Sequence, residues 1–146
     1  MILMETMITL SILTVLGLAL LKLSLNILAP RQWIVQQTVS DAYLTYERAF
    51  AERIPFENLV AADSPWPVAP ATAVTAVEVG RLPRGVPIMG TVTRIRYPDP
   101  NNIGDGGAGN EATNPSAMEI WKAQSVLTYR IGARTYAKSR TVLRSQ

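Results

Sequence analysis

The chain contains neither cysteine nor histidine among its 146 residues. Without cysteine it cannot form a disulfide, the bond that often stabilises small secreted domains. It also lacks the nitrogen and sulfur ligands of an ordinary zinc site and the residues of a Ser-His-Asp or Cys-His catalytic arrangement. We therefore predict that the chain is not an enzyme and has no catalytic residues.

Charge is nearly absent from the beginning of the chain. The first residues, MILMETMITLSILTVLGLALL, carry a single charge, at Glu5. An apolar run of this length predicts a helix that can span a membrane. A carboxylate costs roughly 2.5–3.5 kcal/mol near the bilayer centre on insertion scales, and less near the edge. Glu5 therefore requires a cation, and we expect it to be the amine of Met1 in an adjacent copy.

These residues resemble the start of mature type IV pilins and of type II secretion pseudopilins. Members of this family begin with an apolar residue, carry glutamate at the fifth position and continue as a long apolar helix. Met1, Glu5 and the run Thr6–Leu21 match that pattern. Two departures are Met1 in place of the commoner Phe, and Lys22 where a helix-breaking proline is usual. The resemblance covers residues 1–30 and implies that Met1 and Glu5 are assembly residues.

The resemblance also implies partners and a location. It implies a homo-oligomeric helical filament, built by pilus assembly machinery from a precursor in the inner membrane and found as an extracellular pilus or a periplasmic pseudopilus. Lys22 and Arg31 flank the far end of the apolar run. By the positive-inside rule, these cations would keep the rest of the chain in the cytoplasm. A basic leader before Met1 would reverse that orientation, so we expect the precursor to carry such a leader and to be processed at Met1.

Two other functions stay open on the sequence alone. One is a single-span anchor that carries a periplasmic binding module, and the other is a DNA-binding minor pilin. Within the filament interpretation, the sequence does not distinguish adhesion, motility, secretion and DNA uptake.

Two helical segments are predicted, at residues 1–30 and 31–54. Pro30 is predicted to kink or break the helix, because proline removes a backbone donor. Gly17 costs about 1 kcal/mol in a helix interior, and it is either a point of close helix packing in the membrane or a possible break. The second segment is amphipathic and ends before Pro55. Its predicted core stripe consists of Val35, Val39, Tyr43, Tyr46 and Phe50.

The remaining chain has the pattern of an antiparallel sheet. Alternating β-branched and polar residues predict strands at Ala73–Val79 and Ile88–Tyr97. Ile120–Ile131 and Arg134–Leu143 predict a hairpin that turns at Gly132–Ala133. The predicted fold is α+β, with the long N-terminal helix packed on a small sheet within a globular domain of residues 31–146.

The stretch Asp99–Asn114 is rich in glycine and asparagine, which predicts a long loop. Asp99, Asn101 and Asp105 could supply the oxygen ligands that calcium prefers. The spacing does not match an EF-hand, because Ile103 occupies a ligand position. The alternative is a solvated turn or a contact with a neighbouring subunit, so calcium is a second interpretation of this loop.

The end of the chain is basic, with no acid after Glu119. Arg130, Arg134, Lys138 and Arg140 are the residues that could contact nucleic-acid phosphates, with two nearby tyrosines for base stacking. We favour instead a basic face that meets acids on adjacent subunits, and nucleic acid is not the expected partner. The acids considered for that contact are Glu47, Glu52, Glu57 and Asp63.

Overall fold

The computed structural model describes residues 2–82, 85–131 and 134–146, with side-chain detail except for Ile2 and residues 27–32. It contains helices α1 (Ile2–Arg53) and α2 (Phe56–Val60). Its strands are β1 (Ala73–Arg81), β2 (Pro87–Pro98), β3 (Ile120–Ile131) and β4 (Arg134–Ser145). The predicted α+β class is confirmed. The chain divides into two compact units, residues 1–38 and 39–146, whereas the predicted boundary follows residue 30.

Helix α1 is continuous from Ile2 to Arg53. The helix therefore does not break at Gly17 or at Pro30, and the other interpretation of Gly17, close helix packing in the membrane, stays a prediction. Glycine costs only about 1 kcal/mol, which the strong helix formers around Gly17 offset. Proline removes a single backbone donor, and the helical assignment continues on both sides of it. The helix ends at Arg53, as the pre-proline restriction at Ile54 predicts.

The four strands form one antiparallel sheet in the order β1-β2-β3-β4. All four predicted strands are confirmed, three of them with slightly longer bounds. The predicted turn at Gly132–Ala133 lies outside the described residues. The predicted loop is also confirmed, and it continues to the start of β3, so that it covers residues 99–119.

The strand register defines two ends of the sheet. Ile131 pairs with Arg134 at what we call the hairpin end, and Ile120 pairs with Ser145 at what we call the loop end, beside residues 99–119. The 12 residues of β3 separate these ends by about 36 Å, at roughly 3.3 Å per residue.

The α1 segment 39–53 packs on one face of the sheet. Its fully buried positions recur every three or four residues, at Ser40, Leu44, Glu47 and Ala51. Val39, Tyr43 and Phe50 pack against the core, as predicted. The prediction is wrong for Tyr46, whose side chain is 61% exposed. Tyr46 lies about 100° around the helix from Glu47, and this rotation carries it out of the interface.

Two residues that were not predicted to lie in the core contact the helix segment 39–53. Gly80 of β1 lies against Val39, so that an added Cβ would overlap the valine Cγ1. Trp66 belongs to the connection before β1, yet it is fully buried. Its ring centroid lies 5.2 Å from that of Phe50. The connection therefore completes the core.

Candidate functional site

The most unusual surface belongs to the first unit, at Leu3–Asn26. This span has a mean hydropathy of 2.1 and none of it is buried. Its large apolar side chains are 55–81% exposed on every side of the helix. A helix that is apolar all round needs a non-aqueous environment, either lipid or other helices. The span is long and apolar enough to cross a membrane or to act as a signal sequence.

Glu5 lies in the first turn of α1. The positive end of the helix dipole favours a carboxylate at this position. Glu5 forms no salt bridge with any residue that the structure describes. The only other charge between Leu3 and Asn26 is Lys22, about 26 Å away along the helix axis. Met1 lies outside the described residues, so the pairing of Glu5 with a Met1 amine stays a prediction.

The second unit contains a buried ion pair between its helix and its sheet. The Glu47 carboxylate is fully buried, and it accepts two hydrogen bonds from Arg94, at 2.6 and 2.8 Å. Ser125 and Tyr43 also donate to this carboxylate, at 3.1 and 3.2 Å. The Arg94 guanidinium lies 5.5 Å from the Trp66 ring centroid.

These contacts change the acidity of the groups involved. The hydrogen bond to Glu47 raises the pKa of Arg94, which therefore stays charged. Burial and the neighbouring Glu47 raise the pKa of Tyr43 to about 12. Glu47 is consequently unavailable for subunit contacts, so the suggestion that it meets a neighbour's basic face is wrong. The sequence did contain a signal, because Glu47 lies four residues after Tyr43 and three before Phe50 on the buried stripe.

The guanidinium of Arg96 is also buried, and it donates hydrogen bonds to carbonyls at the C-terminal end of α2. Arg96 is 4% exposed, and its Nη2 donates to Val60 O at 2.7 Å. Its Nη1 donates to Leu59 O, to Ala61 O at 3.1 Å and to Trp66 O at 2.9 Å. Burial lowers the pKa of Arg96. The carbonyls at a helix C-terminus carry partial negative charge, and this charge compensates the cation in place of a carboxylate.

Arg144 plays the same part at the end of α1. Its Nη1 donates to Ala51 O at 2.8 Å and to Glu52 O. The last carbonyls of a helix lack partners within the helix, so a side-chain donor satisfies them. Two of the arginines in the basic C-terminal half of the chain, at positions 96 and 144, thus stabilise helix ends instead of forming an interaction surface.

Asparagine side chains hold the loop 99–119 in a defined conformation. Asn102 is 1% exposed, and its amide both donates to and accepts from the backbone of Ile120, at 2.9 Å in each case. Asn114 donates to Asn101 O and exchanges two hydrogen bonds with Met118. These hydrogen bonds fix the loop to the start of β3 without a disulfide.

The predicted calcium ligands are engaged differently. The Asp99 carboxylate accepts from the Asn101 backbone N–H at 3.0 Å and lies 3.3 Å from the Lys122 ammonium. Asp105 forms no ion pair among the described residues. The same residues contain no group of three or more acidic, histidine or cysteine side chains that could hold a metal. A lysine beside Asp99 disfavours a divalent cation at the same carboxylate.

The Asp99 carboxylate should make the stability of this loop depend on pH. The Asn101 N–H, followed by Lys122, lowers the pKa of Asp99. A depressed pKa stabilises the folded form above the ordinary value of about 3.9, and this contribution disappears as the pH falls through the lower folded value. We expect Asp99→Asn to lower the melting temperature at pH 7 and to match the unmodified chain near pH 2. Thermal unfolding at both values measures this, and an equal deficit at pH 2 would contradict it.

The structure separates the four predicted nucleic-acid residues. Arg130 lies opposite Thr135 and alternates with the buried Tyr129, so that it occupies the sheet face away from the helix. By the same alternation, Arg134, Lys138 and Arg140 occupy the helix side of β4. The Lys138 ammonium lies 3.0 Å from Asp41 of α1.

The two tyrosines predicted to stack on bases pack instead in the core of the second unit. Tyr129 is 2% exposed, and it stacks on Tyr136 with ring centroids 5.7 Å apart. The OH group of Tyr129 donates to Ser40 of α1 at 3.2 Å. Because these two rings pack within the core, they are not available to stack on bases beside the cations of β4.

Comparison of the chain with protein-family models, with curated proteins and with solved structures gave no match.

Proposed function

We propose that the chain is a structural subunit of a type IV pilus-like filament and polymerises through residues 1–30. The observation that carries the proposal is the combination of Leu3–Asn26, which is apolar on every side, with one carboxylate in its first turn. A simple lipid anchor needs no such carboxylate, and the acid makes insertion less favourable.

The energetics of Glu5 favour a partner from another copy. A buried carboxylate without a cation is strongly unfavourable, and it persists mainly when it is paired. Lys22 of the same helix lies about 26 Å away along the axis, which is too far to pair with Glu5. An amine at the start of a neighbouring helix is a compact cation within the same apolar layer. Polymerisation thus places Glu5 beside the Met1 amine of the next copy.

The second unit fits the outer part of such a filament. Its helix segment 39–53 continues from the apolar segment without a break, and its sheet has its own core. In this proposal the subunit waits in the inner membrane before assembly, and the filament is a pilus or a pseudopilus outside that membrane.

The decisive experiment compares three variants expressed from the chain's own gene in its native cell. Glu5→Gln keeps the size of the side chain and removes its charge, whereas Glu5→Asp keeps the charge. Lys22→Gln is the matched control for a charge within the same helix. We expect Glu5→Gln to reduce sheared filament yield at least about tenfold, because each copy loses its charged contact with the next.

The controls separate assembly from folding. Glu5→Asp should retain part of the yield, and Lys22→Gln should retain most of it. All three variants should stay in the membrane fraction with the second unit folded. Normal filaments from Glu5→Gln, or an equal loss from Lys22→Gln, would refute the proposed role of Glu5. An intact-mass measurement of the native protein would establish whether its chain begins at Met1.

A further inference from the structure

The acids and cations of the second unit that lack partners lie in different places on the sheet. The loop 99–119 contains four acids and no base, whereas β4 contains four bases and no acid. Asp99 is paired with Lys122, and Lys138 with Asp41. Arg144 donates to the Ala51 carbonyl at the end of α1. The exposed charges that remain in these two segments are Asp105 and Glu111 in the loop and Arg134 and Arg140 on β4, none of which forms a salt bridge within the described chain.

Geometry prevents the loop acids from meeting Arg134 of the same copy. Arg134 lies at the hairpin end, opposite Ile131, and the loop lies at the loop end. The two ends are about 36 Å apart. The Debye length is about 8 Å at physiological ionic strength, so these charges do not interact across one domain. Arg134 can therefore meet the loop acids only between copies, whereas Arg140, opposite Ser125, lies about 17 Å from the loop end.

Asp105 has no evident role in the fold. Its φ of 45° lies in the left-handed region, between Gly104 and Gly106, which also have positive φ. Asparagine or glycine would suit that conformation at least as well. The carboxylate of Asp105 accepts no hydrogen bond that the structure records. A charge at a strained, exposed position without an internal partner favours an external one.

We infer that the loop acids Asp105 and Glu111 of one copy dock on the β4 cations Arg134 and Arg140 of the next copy. The inference rests on the proposed filament function and identifies the surface that sets the stacking of the sheet domains. The contact uses different surfaces on its two sides, so it is heterologous, and a heterologous contact that does not close produces a helical polymer. The alternative, a symmetric pairing of two β4 edges, would place like charges opposite each other.

The absence of cysteine provides a direct test, since engineered thiols are the only ones in the chain. Filaments of the full chain carrying Ala112→Cys with Thr135→Cys, which are exposed neighbours of Glu111 and Arg134 and leave both charges in place, are treated with a short bis-maleimide and analysed on a denaturing gel. We expect a ladder of covalent multimers, because each copy links to the next. The matched control, Glu78→Cys with Thr135→Cys, places both thiols at the hairpin end and should give no ladder.

Charge reversal tests the energetic part of the inference. Arg134→Glu should reduce filament yield about tenfold through repulsion from the loop acids. Adding Glu111→Arg to that variant should restore most of the yield, whereas adding Asp63→Arg, which changes the net charge equally, should not.

Three results would overturn the inference. Filaments that form without a ladder, and that tolerate Arg134→Glu, would overturn it while leaving the proposed function intact. If the unmodified chain forms no filament, both proposals fail. If Arg134→Glu leaves the yield unchanged but abolishes retention of duplex DNA by the filaments, the β4 cations bind nucleic acid instead.

Discussion

Glu47→Gln is expected to lower the free energy of unfolding of the second unit by about 3–5 kcal/mol. Glutamine has nearly the same shape, so the loss comes from charge. Arg94 would stay largely buried, with its side chain 15% exposed, over the rings of Phe50 and Trp66. No other acid among the described residues forms an ion pair with it. Denaturant unfolding of the full chain in micelles, followed by tryptophan fluorescence, measures the change.

The same substitution at Glu52 is the matched control. Glu52 pairs with Arg48 at 2.7 Å on the same helix, where both side chains are about half exposed. Exposed pairs of this spacing contribute only about 0.3–0.5 kcal/mol. The double variant Glu47→Leu with Arg94→Met should be more stable than either single variant, since it leaves no unpaired charge. Equal losses from Glu47→Gln and Glu52→Gln would contradict the role assigned to the buried pair.

Arg96→Met is expected to lower the free energy of unfolding by about 3 kcal/mol or more. It leaves the carbonyls of Leu59, Val60 and Trp66 without their donor, whereas Ala61 O keeps the Ser64 N–H. A buried group that loses its partner costs roughly 1–3 kcal/mol. Part of the loss should be local, with faster amide exchange at Leu59 in α2 and at Ala61 directly after it. Hydrogen exchange combined with denaturant unfolding measures both effects.

Two further variants define the cause. Arg144→Met removes the same kind of donor from the more exposed end of α1, so we expect a loss of about 1 kcal/mol. Arg96→Lys retains the charge but not the planar fork that reaches several carbonyls, and it should recover only part of the stability. If lysine recovers all of it, the cation and not the hydrogen-bond geometry stabilises this connection.

Local sequence patterns were sufficient for most of the secondary structure. The alternation in β1 to β4, the pre-proline end of α1 and the glycine-rich loop each depend on residues a few positions apart. The prediction failed at Pro30, where a single unfavourable residue is outweighed by the helix around it. It also failed at Tyr46, where a shift of one position around the helix separates the core from solvent.

The candidate site was only partly predictable from sequence. Glu5 stands out because a lone charge in an apolar run is conspicuous without any structure. The predicted basic surface was less accurate, because strand alternation moves Arg130 to the opposite face and Asp41 pairs with Lys138. The loop acids Asp105 and Glu111 become significant only once the register shows that they lie far from Arg134.

By itself, the sequence determined that the chain has an apolar N-terminal helix with one acid, a strand-rich second part and no disulfide, since composition and short-range periodicity specify these features. The tertiary structure alone decided that Glu47 pairs with Arg94, that Arg96 closes α2 and that Trp66 lies in the core. These contacts join residues far apart in sequence. Whether a charge is buried, paired or free depends on which distant residue the sheet register and the helix rotation bring beside it.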